Sequence, residues 1–244
     1  MGFFSAAFVA VVGGAAIAVG GGPIVVGILG ISETGVVAGS LAAGAQAYVG
    51  NVAAVPKSNI EQFEETSYKN PKSFRMNLID GQLDILPAVE FETAQRETKM
   101  NFRVIEWCNT NSNLVGTFIP SLTCVTLPNG DILNPSIAVV LNARWNALTD
   151  VQKYRAYPPV APNFVVEFRS RIDSPEYFHN KMLRWIDGGV EEGISIDRFV
   201  NPLEVRIYSF DSNTNQIVWL THSNPSQIAS KVLDGFVINM EDIL

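Results

Sequence analysis

The pattern of apolar and polar positions divides the chain into two materials. From Met1 to Ser32 no side chain is charged, a run longer than the roughly 20 apolar residues a helix needs to cross a hydrocarbon layer. "FFSAAFVAVVGGAAIAV" (Phe3 to Val19) predicts one helix, and "GGGP" (Gly20 to Pro23) a break, since glycines and a proline remove helix propensity and a backbone donor together. "GVVAGSLAAGAQAYVGNVAAV" (Gly35 to Val55) predicts a second helix, with Gly35 and Gly39 in a GxxxG pair and Ser40 with Gly44 repeating the spacing that lets helices approach closely in lipid. Residues 1–56 therefore read as a hydrophobic helical hairpin and 57–73 as a polar linker. From residue 74 to 244 the alternation is that of a folded domain.

In that domain "FRMNLIDGQLDILP" (Phe74 to Pro87) predicts a strand pair turning at Asp80-Gly81. Ala88 to Asn111 predicts an amphipathic helix, its apolar face drawn through Phe91, Ala94, Thr98, Phe102, Ile105 and Trp107. Asn129-Gly130 marks a hairpin between the apolar runs of Gly116 to Leu141, and "PNFVVEFRS" (Pro162 to Ser170) is the next strand. Ser174 to Val190 predicts a helix stopped by Gly188-Gly189, and "EEGISID" and "EVRIYSFD" the closing strands. Helix, strands, helix, strands in that order predict an α/β domain with one mixed sheet flanked by helices.

Charge sharpens the division. All 17 Lys and Arg lie at Lys57 or later, and of the 24 acids only Glu33 comes earlier, so residues 1–56 carry −1 and the remainder −6. Twelve of the 19 glycines fall within the first 50 residues. No Lys or Arg precedes the apolar run, which argues against a secretory signal, and Ala6 occupies the position where myristoylation requires Ser or Thr. Two cysteines, Cys108 and Cys124, make no disulfide framework, so a reducing compartment is expected for the C-terminal part. With only His179 and His222 present, a zinc centre or a Ser-His-Asp triad is not expected.

"GISETGVVAGSLAAGAQA" (Gly30 to Ala47) resembles the core of the interferon-alpha-inducible small membrane protein family. That resemblance implies a small-residue hairpin in an intracellular membrane, contacting lipid through residues 1–56. An oligomerisation stalk or a pore lining would have the same texture. The pieces "DGQLDILP", "LPNGDILNPSIAVV", "APNFVVEFRSRIDS", "KMLRWIDGGVEEGISID" and "VRIYSF", in that order between Phe74 and Ser209, resemble the Uma-two family of restriction-endonuclease-like proteins, of the PD-(D/E)xK nuclease class.

The second resemblance implies a restriction-endonuclease-like fold that cleaves DNA with Mg²⁺ or Mn²⁺. Glu167 falls at the family's glutamate and Lys181 at its helix lysine. Ser136 stands where the pattern has an Asp after proline, and a neutral hydroxyl is a weak ligand for a hard cation. The candidate catalytic residues are thus Glu167, Lys181 and Arg169, and the candidate metal ligands Glu167 and Ser136. Arg169 and Arg171, with Lys181 and Arg184 on the following helix, form a local basic cluster suited to a phosphate in an otherwise acidic domain. A plain structural role for Glu167 would be an ion pair with Arg169 or Arg144. The expectation is a membrane-associated nuclease-like protein, impaired by Ser136. The alternative is a non-enzymatic membrane-inserting or homo-oligomerising protein whose C-terminal domain is a binding module.

Overall fold

The computed structural model describes residues 59–69, 74–87, 89–121 and 123–244, preceded by the backbone of four short strands. The chain forms two compact units, Met1–Ala88 and Val89–Leu244, and each is described by itself.

In the first unit, β1 (Phe8–Val12) pairs antiparallel with β2 (Ala15–Val19), and β3 (Ile31–Ser32) with β4 (Gly35–Val36). The helix expected over Phe3 to Val19 is therefore a strand hairpin where the backbone is described. Its sequence allows this: Phe, Val and Ile favour the pleated surface, and Gly13-Gly14 is among the dipeptides that suit a two-residue connection. Beyond Gly35–Val36 the second expected helix lies outside the described residues. Among the described residues no helix is long and apolar enough to cross a membrane. A ten-residue helix, α1 (Ile60–Lys69), occupies the stretch expected as linker. The Asp80-Gly81 hairpin forms as read, joining β5 (Phe74–Ile79) to β6 (Gln82–Pro87), with Ile79 opposite Gln82. Both turn residues have positive φ, 51° and 73°, the conformation that a hairpin of this length demands.

The second unit opens with α2 (Phe91–Thr110), followed by β7 (Val115–Pro120), the short ladder of β8 (Val125–Thr126) with β9 (Ile132–Leu133), and β10 (Ile137–Leu141). Two short helices, α3 (Asn142–Asn146) and α4 (Asp150–Lys153), lead to β11 (Phe164–Phe168). Helix α5 (Pro175–Asp187) crosses to β12 (Glu192–Asp197), which continues into β13 (Glu204–Asp211) and β14 (Gln216–Ser223). A small pair, β15 (Gln227–Ala229) and β16 (Val237–Asn239), and the terminal turn α6 (Met240–Ile243) complete it.

The six-stranded sheet has the order β14-β13-β12-β11-β10-β7. It is mixed: β11 and β12 are parallel, and the other neighbours antiparallel. Both faces of its centre are covered, which is why β10 and β11 read as nearly unbroken apolar runs and why even the polar residues of β12 are buried. On one face Ile137, Val139, Phe164, Val166, Ile194 and Ile196 join Met100, Val104 and Trp107 of α2 in the main core. On the other, α5 packs so closely that a Cβ on Gly193 would lie 2.7 Å from Met182 Cε. Helix α5 is capped as its sequence proposes, with Pro175 in the first turn and Ser174 Oγ accepting from the Tyr177 amide at 3.0 Å.

Helix α2 buries the face drawn in the sequence only at Trp107 and leaves its other aromatics outside. Phe91 and Phe102 are exposed, and the buried stripe is Thr93, Glu97, Met100, Val104, Trp107 and Cys108. The first five follow steps of four, three, four and three, a sound helical seam that a count of apolar residues misses because two of its members are polar.

Candidate active site

The antiparallel register of β10 and β11 sets Ile137 opposite Val166, and Ser136, just before β10, comes beside Glu167. Both side chains are buried, at 3% and 2% exposure. Ser136 Oγ donates to Glu97 Oε1 at 2.7 Å, lies 3.5 Å from Glu167 Oε2, and accepts from the Phe168 amide at 3.3 Å. The serine thus stands between two carboxylates, one from the sheet and one from α2.

Glu167 divides its two oxygens between two tasks. Oε1 receives Lys181 Nζ at 2.6 Å and the Trp185 indole N–H at 2.8 Å. Oε2 is the oxygen turned toward Ser136. Lys181 and Trp185 are one turn apart on α5, which lets a single helix grip one oxygen twice. Lys181 Nζ also donates to the Asn134 carbonyl at 2.7 Å, leaving one of its three N–H groups unassigned by these contacts. Two buried carboxylates and one buried ammonium thus stand together around the Ser136 hydroxyl.

Of the residues singled out in the sequence, the fold brings together Ser136, Glu167 and Lys181. Arg169 goes elsewhere: its Nε lies 2.8 Å from Asp197 Oδ2 and its Nη1 donates to the Asp173 carbonyl at 2.9 Å. Arg144 pairs with Glu191 at 2.6 Å, so neither arginine considered for a structural pair with Glu167 is its partner. Arg184 grips Asp131 through two hydrogen bonds of 2.6 and 2.9 Å. The expected basic cluster of Arg169, Arg171, Lys181 and Arg184 is therefore largely spent on ion pairs. Glu97 and Trp185 were missed in the sequence. The available signal for Glu97 was its place on the four-three seam of α2.

Among the described residues no three His, Cys, Asp or Glu side chains group as a metal centre. The donors present are nevertheless all oxygens: Glu97, the free edge of Glu167 and the Ser136 hydroxyl. Mg²⁺ is commonly held by one or two carboxylates, with water and substrate phosphate completing its shell. The donor set fits a hard divalent cation, with one charged ligand fewer than an Asp at position 136 would supply.

A mixed sheet with helices on both faces and a buried carboxylate–lysine cluster where two strands meet define a restriction-endonuclease-like protein. The model of a family described as Uma2, putative restriction endonuclease, matches residues 60–241, and the chain belongs to that family. A crystal structure of a putative nuclease belonging to DUF820, from Anabaena variabilis, shares the fold with a TM-score of 0.58 at 14% identity, covering 73% of this chain and 95% of that one. No curated protein matches the chain. The family match starts at residue 60, and the likeness of residues 30–47 to interferon-alpha-inducible proteins finds no support.

Proposed function

We propose that this protein is a divalent-metal-dependent nuclease acting on DNA, with activity reduced by Ser136. The observation that carries the reading is the Ser136 hydroxyl set between Glu97 and Glu167 while Lys181 and Trp185 hold the far oxygen of Glu167. Glu97 and Glu167 would hold the cation, with Ser136 contributing at most a neutral oxygen. A divalent ion at such a site lowers the pKa of bound water and offsets phosphate charge.

The protein's own residues do the rest. Trp185 and Lys181 fix the Glu167 rotamer, so that Oε2 faces the site without reorganisation. Lys181, held by Glu167 and the Asn134 carbonyl, keeps one N–H for a water or a phosphate oxygen. Ser136 keeps the two carboxylates apart with one proton, but adds no negative charge. The consequence is a site with enough ligands to bind Mg²⁺ or Mn²⁺ and too little charge to bind it tightly. The membrane-inserting alternative has no observation in its favour.

The test is cleavage of supercoiled plasmid by the full chain over a range of Mg²⁺ and Mn²⁺. Slow cleavage, better in Mn²⁺, lost in Glu167→Gln and enhanced in Ser136→Asp, is expected. Undiminished cleavage by Glu167→Gln, or none by either the natural protein or Ser136→Asp, defeats the reading.

A further inference from the structure

Of the basic residues first expected beside the site, Lys181 and Arg184 are paired off, while Arg169 and Arg171 join Arg198 in a cationic group at the same end of the sheet. β11 and β12 run parallel, so the segments that follow Glu167 on one and Ser195 on the other leave the sheet side by side. There the Phe199 ring carries three guanidinium groups: Arg198 Cζ lies 4.4 Å from its centroid, and Arg169 and Arg171 Cζ each lie 5.1 Å away. An aromatic ring attracts and orients a guanidinium through its quadrupole but leaves the charge unneutralised. Phe199 therefore gathers like charges without cancelling them.

The nearby acids are mostly committed. Asp197 pairs with Arg169, and Glu92 pairs with Arg198 and approaches Arg96 at 3.9 Å. Glu90 and Asp173 turn carboxylate oxygens to backbone amides, those of Arg171 at 2.9 Å and Ser170 at 3.1 Å. Arg171 is exposed, and among the described residues its guanidinium has the Phe199 ring and no carboxylate within ion-pair distance. Glu92 feels its charge without pairing with it, so Arg171 is the cation of this group best placed to take an outside anion.

Arg171 is four residues beyond Glu167, at most roughly 13 Å at about 3.3 Å per extended residue. That is the reach of a few nucleotides along one strand, at about 3.4 Å per step. In a domain of net negative charge, broad attraction to nucleic acid is absent, and local cations must position the substrate. We propose that Arg171, with Arg198 beside it on the Phe199 ring, holds a backbone phosphate of the strand whose neighbouring phosphodiester lies at Glu97, Ser136 and Glu167. This rests on the nuclease reading above.

The experiment measures binding of a fluorescein-labelled DNA duplex to the full chain in EDTA, by anisotropy over a range of KCl. Arg171→Ala is expected to weaken binding roughly three- to tenfold and to flatten the slope of log K against log salt by about 0.9, the loss of one phosphate contact. Phe199→Leu keeps every charge, loses the ring, and is expected to weaken binding as well. Wild-type affinity and slope in folded Arg171→Ala, or no salt-dependent binding by the natural protein, overturns the inference. Glu167→Gln separates the two ideas, because it keeps the docking residues and loses hydrolysis. A protein that cuts plasmid but is indifferent to Arg171→Ala sinks only the docking; one that binds through Arg171 but never cuts sinks only the nuclease.

Discussion

Replacing Ser136 with aspartate tests the site by its electrostatics before any question of turnover. The new carboxylate would stand where the hydroxyl now lies 2.7 Å from Glu97 Oε1 and 3.5 Å from Glu167 Oε2. At about 4 Å a pair of like charges costs about 4 kcal/mol at an effective dielectric of 20. Two such pairs arise, and Lys181, 2.6 Å from Glu167, offsets part of the repulsion. A net destabilisation on the order of 2–4 kcal/mol is expected in EDTA, given the large worth of buried uncompensated charge. For a unit of this size, that lowers Tm by roughly 4–16 °C, at about 2–4 °C per kcal/mol. A divalent cation bound only by the folded state returns about 2.7 kcal/mol at one hundred times its Kd. Thermal unfolding with and without Mn²⁺ should therefore show a larger metal-induced rise in Ser136→Asp than in the natural protein. Ser136→Asn has the same shape without the charge and should lack the enlarged response. If Ser136→Asp is as stable as the natural protein in EDTA, or Mn²⁺ raises all three proteins equally, the cluster is not a cation site of the kind argued.

The remaining predictions concern the scaffold. Burial pushes the Cys124 thiol up to about 12 and the Cys108 thiol up to about 11, so neither should react with a thiol reagent at neutral pH until the protein unfolds. Because their folded values lie above the ordinary value of 9.0, the folded state keeps protons that the unfolded chain loses; this stabilisation is fully present below about pH 9 and is lost as pH rises toward 11 and 12. Denaturant midpoints measured across that range should fall, and a rise would contradict the sign. Gly116→Ala places a Cβ 2.2 Å from Trp145 Cβ and should cost about 1–3 kcal/mol through overpacking, read as a lower urea midpoint.

The lines of the scaffold that the sequence carries are those set by neighbours along the chain. Asp80-Gly81 makes its turn because two adjacent residues accept positive φ. Ser174 and Pro175 start α5 because a hydroxyl and a missing N–H suit its first turn. Family likeness added positions 136 and 167 as a candidate site, and the Ser136 hydroxyl lies 3.5 Å from Glu167 Oε2. The N-terminal stretch went differently: an uncharged Gly, Ala and Val run suits a helix in lipid and a short hairpin alike, and composition does not separate them.

What only the tertiary structure decided is which charges meet. Glu97 is 39 residues from Ser136 and reaches it because α2 buries a seam containing polar members, while the aromatic Phe91 and Phe102 that advertised another face stay in solvent. Arg169 sits two residues from Glu167 in the chain, yet turns to Asp197 on the parallel neighbour, and Lys181 comes from the next helix instead. The physical reason is that backbone conformation is fixed by local sterics and hydrogen bonding, whereas the partner of a buried charge is whichever opposite charge the packed helices bring within about 4 Å. By itself the sequence determined the central strands, the turn at Asp80-Gly81, the start of α5 and the serine at position 136; the packing decided that this serine has a second carboxylate beside it.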